Sequence, residues 1–241
     1  MTHRSTPGRL AIIGCSLGGL LAALRFAERG WEVRLIEPDD ALRLALWEGR
    51  LFEPALSLAL HALWRYGCLS LSGQLNAGLE DCDVVFWWPD GPAIAGLARL
   101  ERAIESIAPS LPARALFVVK AGVPLGAGAI VKDLLAREGR QDVRLAMSPE
   151  PPCRSTAVGE TPADERVVVG VDQGHDALPL LELYGPIGRP VLVTSIDSAE
   201  RLYQVSLSFW RTETAFAEAI ADLCARAEAG LQDVRLEQPV G

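Results

Sequence analysis

The stretch Arg9 to Asp40, RLAIIGCSLGGLLAALRFAERGWEVRLIEPDD, decides how the chain is read. An apolar run, Leu10 to Ile13, meets a glycine turn at Gly14, Gly18 and Gly19. An Ala/Leu-rich segment with helical periodicity follows, then Gly30, then a second apolar run that ends on Glu37. This is the pattern of strand, turn, helix and strand.

Two chemistries fit the turn. Gly14-Cys15-Ser16-Leu17-Gly18 matches the G-x-S-x-G nucleophile elbow of an α/β-hydrolase, with Ser16 as nucleophile. Gly14 and Gly19, with an acid about 20 residues on, match the dinucleotide-binding fingerprint with Ser16 in place of the middle glycine. Position disfavours the hydrolase. Ser16 follows the first strand, and only His61 and His175 lie downstream to complete a triad. In the dinucleotide reading Gly14 makes the tight turn, Gly19 lets helix and strand approach, and the helix start at Leu17 and Gly18 presents N–H groups to a pyrophosphate. Glu37 would bind the ribose hydroxyls, which favours NAD over its 2′-phosphorylated form.

Further along, continuous apolar runs at Asp83 to Trp88 and Ala115 to Lys120 read as strands buried on both faces. Shorter strands are expected at Cys68 to Leu71, Val143 to Met147, Arg166 to Val171 and Val191 to Thr194, with helical segments between most of them. The alternation predicts an α/β fold, a Rossmann-like doubly wound, mostly parallel sheet. Its ligands would bind at the carboxyl ends of the strands, here Gly14, Glu37, Trp88 to Pro92, Lys120 to Pro124 and Ser148 to Glu150. Residues 149–164, rich in Pro, Glu and Thr, read as the longest irregular loop.

From Ser198 to about Gly230 apolar residues recur at three- and four-residue steps: Leu202, Val205, Phe209, Phe216, Ile220 and Leu223. They predict one long C-terminal helix whose apolar stripe needs a partner, hence a homodimer through 198–230. The division expected is a dinucleotide-binding domain over 1–195 and the helix over 196–241.

A net charge of −8 offers no basic field for nucleic acid or an anionic membrane. Five cysteines, Cys15, Cys68, Cys82, Cys153 and Cys224, contain no CxxC pair and no zinc spacing, which suits a reducing, cytoplasmic setting and no metal. No secretory h-region or spanning apolar run occurs. Only Lys120 and Lys132 are lysines, so each is easily tracked as a candidate acid/base.

Several separate stretches resemble the UDP-glucose/GDP-mannose dehydrogenase family. Leu51-Phe-Glu-Pro-Ala-Leu56 resembles its YEPGL segment, and Val119-Lys-Ala-Gly-Val-Pro-Leu-Gly126 its KSTVPxGT turn. Ser148-Pro-Glu150 resembles S/N-P-E, Arg166-Val-Val-Val-Gly170 resembles DRVVIG, and Leu183-Tyr-Gly-Pro186 resembles LYAP. Ser198-Ala-Glu200 opens a segment similar to the SAE...KYAANAF helix. The resemblance implies an NAD domain followed by a dimerising central helix.

The same resemblance exposes departures. Tyr203 stands where the family has its catalytic lysine, Leu207 where it has the asparagine, and Gly122 where it has the threonine. The VPTP loop becomes Trp88-Pro89-Asp90-Gly91-Pro92, while Glu150 is retained. Neither the GGxCFPKD cysteine nor a second nucleotide-binding domain is seen before Gly241. Four-electron oxidation needs a thiol to hold the aldehyde, so the expectation is a single hydride transfer on a small or carrier-borne substrate. Its candidate catalytic residues are Glu150, Lys120 and Tyr203. Its candidate cofactor contacts are Gly14, Ser16, Leu17, Gly18, Gly19, Glu37, Pro89 and Gly122. The alternative is a catalytically silent dimeric scaffold, in which Trp87 and Trp88 fill the cofactor pocket.

Overall fold

The computed structural model describes residues 8–88, 97–120, 122–150 and 166–226. Among these residues eight strands form one sheet: β1 (Arg9–Ile13), β2 (Glu32–Ile36), β3 (Leu69–Ser72), β4 (Val84–Trp87), β5 (Leu116–Val119), β6 (Arg144–Met147), β7 (Val167–Val171) and β8 (Val191–Thr194). Their spatial order is β3-β2-β1-β4-β5-β6-β7-β8. All neighbours run parallel except β6 and β7, which pair antiparallel at Ala146↔Val171 and Met147↔Gly170. This is the Rossmann-like, mostly parallel sheet that the strand and helix alternation predicts. The order reverses between β1 and β4, which opens a crevice at their carboxyl ends.

Period-two alternation divides the core. Leu10, Ile12, Phe86 and Trp88 face one side, with Phe26 and Tyr184; Ala11, Ile13, Val85, Trp87 and Phe117 face the other. Neighbouring residues of one strand point to opposite faces, so the two tryptophans part company. Helix α1 (Leu17–Ala27) buries Gly19, Leu20, Ala23, Phe26 and Ala27, one stripe of a 3.6-residue period. Its Phe26 stacks on Phe86 with ring centroids 5.8 Å apart and meets Tyr184 edge-on at 5.6 Å. Each such pair is worth roughly 0.5–1.5 kcal/mol beyond the area buried.

The remaining helices are α2 (Asp40–Trp47), α3 (Pro54–Arg65), α4 (Leu75–Leu79), α5 (Leu97–Ile107), α6 (Ala127–Arg137), α7 (Leu178–Tyr184) and α8 (Ile196–Arg226). Helix α6 starts three residues beyond Pro124, because Gly126 turns the chain through a left-handed conformation, φ 84°. Helix α8 is the long C-terminal helix expected from the apolar periodicity. Its first turns bury Ile196, Ala199, Glu200, Tyr203 and Leu207. Gly170 of β7 permits this seat: a Cβ there would lie 2.6 Å from Ala199 Cβ and 2.9 Å from the Ile196 Cα. Further along α8, Val205, Phe209, Phe216 and Leu223 are exposed.

Candidate functional site

The site is assembled from strand ends at the switch point. Gly14 leaves β1 at φ 102°, a conformation that favours glycine, and its N–H donates to the Ile36 carbonyl at 2.9 Å. Ser16 caps α1: its Oγ accepts from the Gly19 N–H at 3.3 Å, from ordinary extended backbone at φ −62°, ψ 156°. A capping oxygen satisfies an orphan N–H of the first turn. Gly19 packs closely against the turn, since a Cβ there would come within 3.2 Å of the Gly14 carbonyl oxygen.

These positions correct the hydrolase reading. Ser16 is a helix cap without the strained geometry of a nucleophile elbow. The two candidate bases lie elsewhere. The His61 Nε2 pairs with the Trp47 carbonyl oxygen at 2.8 Å, and His175 is exposed beside Asp176.

Glu37 directly follows β2 and is buried. Its Oε1 accepts from the Asp39 N–H at 2.9 Å, and its carbonyl oxygen accepts from Arg43 at 2.8 Å. The turn thus holds the carboxylate in place at the strand end where a ribose would reach it. Asp39 in turn caps α2, accepting from Ala41 and Leu42.

On the other side of the crevice lies a charged pair. Lys120, just past β5, is buried; its Nζ lies 3.3 Å from the Glu150 Oε1 and donates to the Ser148 Oγ at 3.3 Å. It also sits 4.8 Å from the centroid of the Trp88 ring and 5.7 Å from that of Tyr184. Burial alone would drive the ammonium toward its neutral form. The Glu150 carboxylate, seconded by Tyr184, outweighs burial, so the Lys120 pKa is raised above the ordinary lysine value. Lys120 therefore stays protonated at neutral pH and serves as a fixed cation. Glu150 is the half-exposed member of the pair, its side chain 35% accessible.

Trp88 completes the site. Its backbone N–H donates to the Ile13 carbonyl at 2.8 Å, continuing β4 alongside β1, and its indole lies against the glycine turn. A Cβ on Gly18 would lie 2.9 Å from the Trp88 Nε1 and 3.2 Å from the Glu150 Oε2; one on Gly19 would lie 3.4 Å from the Trp88 Cβ. Gly18 is glycine because the indole and the carboxylate occupy the space of its side chain.

The structure thus gathers Gly14, Ser16, Leu17, Gly18, Gly19, Lys120 and Glu150 around one crevice, with Glu37 at the adjacent strand end. Gly122 follows β5 in the loop leading to α6. Tyr203 lies in the buried first turns of α8. Burial raises its pKa and the charged neighbour that opposes this is Arg211, whereas the phenol beside Lys120 and Glu150 is Tyr184. Burial pushes the Tyr184 pKa up, with Lys120 opposing. Tyr184 is the tyrosine of the stretch Leu183-Tyr-Gly-Pro186, and nothing local in that stretch marks it as a neighbour of Lys120. Pro89, the rest of the loop that begins at Trp88, and Cys153 lie outside the described residues.

A family model described as the NAD binding domain of the UDP-glucose/GDP-mannose dehydrogenase family matches residues 8–188. The chain belongs to this family. A UDP-glucose 6-dehydrogenase of Pseudomonas aeruginosa is 30% identical over 241 residues, covering 94% of this chain and 53% of the relative. One from Rhizobium meliloti is 27% identical, covering 94% of this chain and 55% of its own length. The chain thus spans about half the length of these relatives. Among solved structures, a UDP-glucose dehydrogenase from Pyrobaculum islandicum superimposes with a TM-score of 0.78 at 22% identity, covering 95% of this chain and 59% of that one. The GDP-mannose dehydrogenase of Pseudomonas aeruginosa gives 0.77 at 20% identity, over 93% and 55%.

NAD is the cofactor that this domain family implies. On the β1–β2 side the residues fit it: a positive-φ Gly14, a helix start at Leu17 and the held carboxylate of Glu37. On the β4 side the Trp88 indole covers Gly18. Among the described residues no helix is long and apolar enough to cross a membrane.

Proposed function

We propose that this family member is an NAD-dependent oxidoreductase that carries out a single hydride transfer on an alcohol, its substrate small or borne on a carrier such as a nucleotide. The observation that supports it is the meeting of the glycine turn and the Glu150 carboxylate at the switch point, within 3.2 Å of the Gly18 Cβ position. NAD, when bound, supplies the hydride acceptor. Gly14 and the α1 N-terminus would hold its pyrophosphate, and Glu37 its ribose. Glu150 is the partly exposed carboxylate of the pair, and its Oε2, directed at the turn, would take the hydroxyl proton as the carbonyl forms. Lys120 is sealed behind it and fixes the orientation of that carboxylate. Tyr203 and Leu207 stand where the family resemblance implies lysine and asparagine, so the Tyr203 hydroxyl would replace the cationic and amide donors to a developing alkoxide.

The test follows NADH absorbance across a panel of alcohols that begins with nucleotide sugars. Glu150→Gln is expected to lower kcat by about a hundredfold or more. Absence of turnover on the whole panel, or full activity in the variant, would overturn this reading.

The exposed Val205, Phe209, Phe216 and Leu223 of α8 support self-association through that helix, in keeping with a cytoplasmic homodimer. A second reading, a catalytically silent dimeric scaffold, draws its support from one observation, the Trp88 indole packed on the glycine turn.

A further inference from the structure

We propose that Trp88 is a gate: its indole occupies the β4 side of the cofactor crevice, and NAD binds only when that indole leaves Gly18. The inference rests on the reading that this domain binds NAD. It concerns what the dinucleotide must displace.

The closed state is built from interactions made by this chain alone. The indole packs on Gly18 and Gly19, its Nε1 2.9 Å from where a Gly18 side chain would begin. On its other contacts it lies 5.9 Å from the Phe86 ring centroid and 4.8 Å from the Lys120 ammonium. A cation near an aromatic face is attracted by the ring quadrupole, so the Lys120 charge helps to hold the indole inward. The carboxylate that balances Lys120 also faces the turn, its Oε2 3.2 Å from the same Gly18 position. Trp88 and Glu150 thus close over the helix N-terminus together, and both lie only 6% and 35% exposed respectively.

A pyrophosphate is drawn to the first-turn N–H groups and must come into contact with the turn to use them. The indole blocks that contact from the β4 side, and the carboxylate adds like-charge repulsion. Adjacent Trp87 takes no part, since it points to the opposite face among Val85, Phe117 and Val119. The price of the gate is apparent affinity: if the open form is a tenth of the population, the apparent Kd rises about tenfold over its intrinsic value.

The experiment titrates NAD into the wild-type protein and Trp88→Ala by calorimetry, with circular dichroism to establish folding. Trp88→Phe is the second variant, which keeps apolar volume in the core. The gate predicts at least tenfold tighter binding in Trp88→Ala and an intermediate gain in Trp88→Phe. It also predicts that NAD increases acrylamide quenching of wild-type tryptophan fluorescence, an increase lost in Trp88→Phe. Glu37→Ala in the Trp88→Ala background should abolish the gain, which ties it to this crevice. Equal or weaker binding in both variants would overturn the gate while leaving the NAD reading intact. Absence of binding in the wild type and both folded variants would overturn both.

Discussion

Replacing Glu200 with alanine should uncouple α8 from the sheet. Glu200 is 1% exposed, yet its carboxylate is fully engaged: Oε2 accepts from the Gly126 N–H at 2.7 Å and Oε1 from the Gly128 N–H at 2.6 Å. Gly126 is the N-cap of α6 and has no side chain with which to cap its own helix. The cap is therefore supplied from a residue more than seventy positions later in the chain. Hydrogen bonds to a charged group contribute about 1.5–3 kcal/mol each, and the favourable end of the α6 dipole contributes in the same direction. The two bonds share one carboxylate, so a loss of about 4 kcal/mol is expected, short of the simple sum. For a chain of this size that corresponds to roughly 10 °C in Tm. Urea denaturation followed by circular dichroism measures the first figure, and a thermal melt the second. Glu200→Gln should recover less than half, because its amide keeps an acceptor for one N–H but turns a donor toward the other. Amide exchange at Gly126 and Gly128 should accelerate in both variants. A Glu200→Ala protein within about 1 kcal/mol of wild type, or one with unchanged exchange at these two amides, would refute the reasoning.

Lys120→Ala should cost about 2 kcal/mol or more, chiefly through the volume it empties in the core, since the half-exposed Glu150 carboxylate can turn to water, and Lys120→Met less, since it refills that volume. Because the folded-state pKa of Lys120 lies above the ordinary 10.5, its stabilisation is complete below that value and is lost as pH rises through the higher folded-state pKa; the gap between wild type and Lys120→Met in denaturant titrations should hold constant from neutral pH to about 10 and narrow only beyond it. Phe209 and Phe216 are 63% and 54% exposed, so the double substitution to Asp should turn a wild-type dimer into a folded monomer by sedimentation velocity, and a monomeric wild type would refute the interface.

The elements were legible because each carries a local signal. Gly14 needs positive φ, Pro54 opens α3 as a first-turn residue, and the apolar run at Val84 to Trp87, closed by Pro89, has the pattern of a strand buried on both faces. The stripe on α8 was equally plain, since its period belongs to one helix. What was hidden depends on residues far apart in the chain. Nothing local tells that Tyr184 sits by Lys120, because the two residues are brought together only by the folded sheet. The Glu200 cap on α6 is hidden for the same reason. Period-two alternation could have separated Trp87 from Trp88, but which of the two faces the glycine turn depends on the register of β4 against β1, Ile13 opposite Trp87.

Helix α8 is, mechanically, a cantilever. At 1.5 Å per residue its 31 residues span about 46 Å, clamped at the root where Gly170 admits Ile196 and Ala199 and where Glu200 grips the start of α6. One turn on, the Gln204 amide ties the root to the Val123 carbonyl at 2.8 Å. A load applied to the outer arm, at Phe216 or Leu223, becomes torque at this clamp. The clamp holds the loop of residues 122–126, and that loop starts two residues after Lys120. The root of α8 and the buried cation thus share one stretch of chain, residues 120–128.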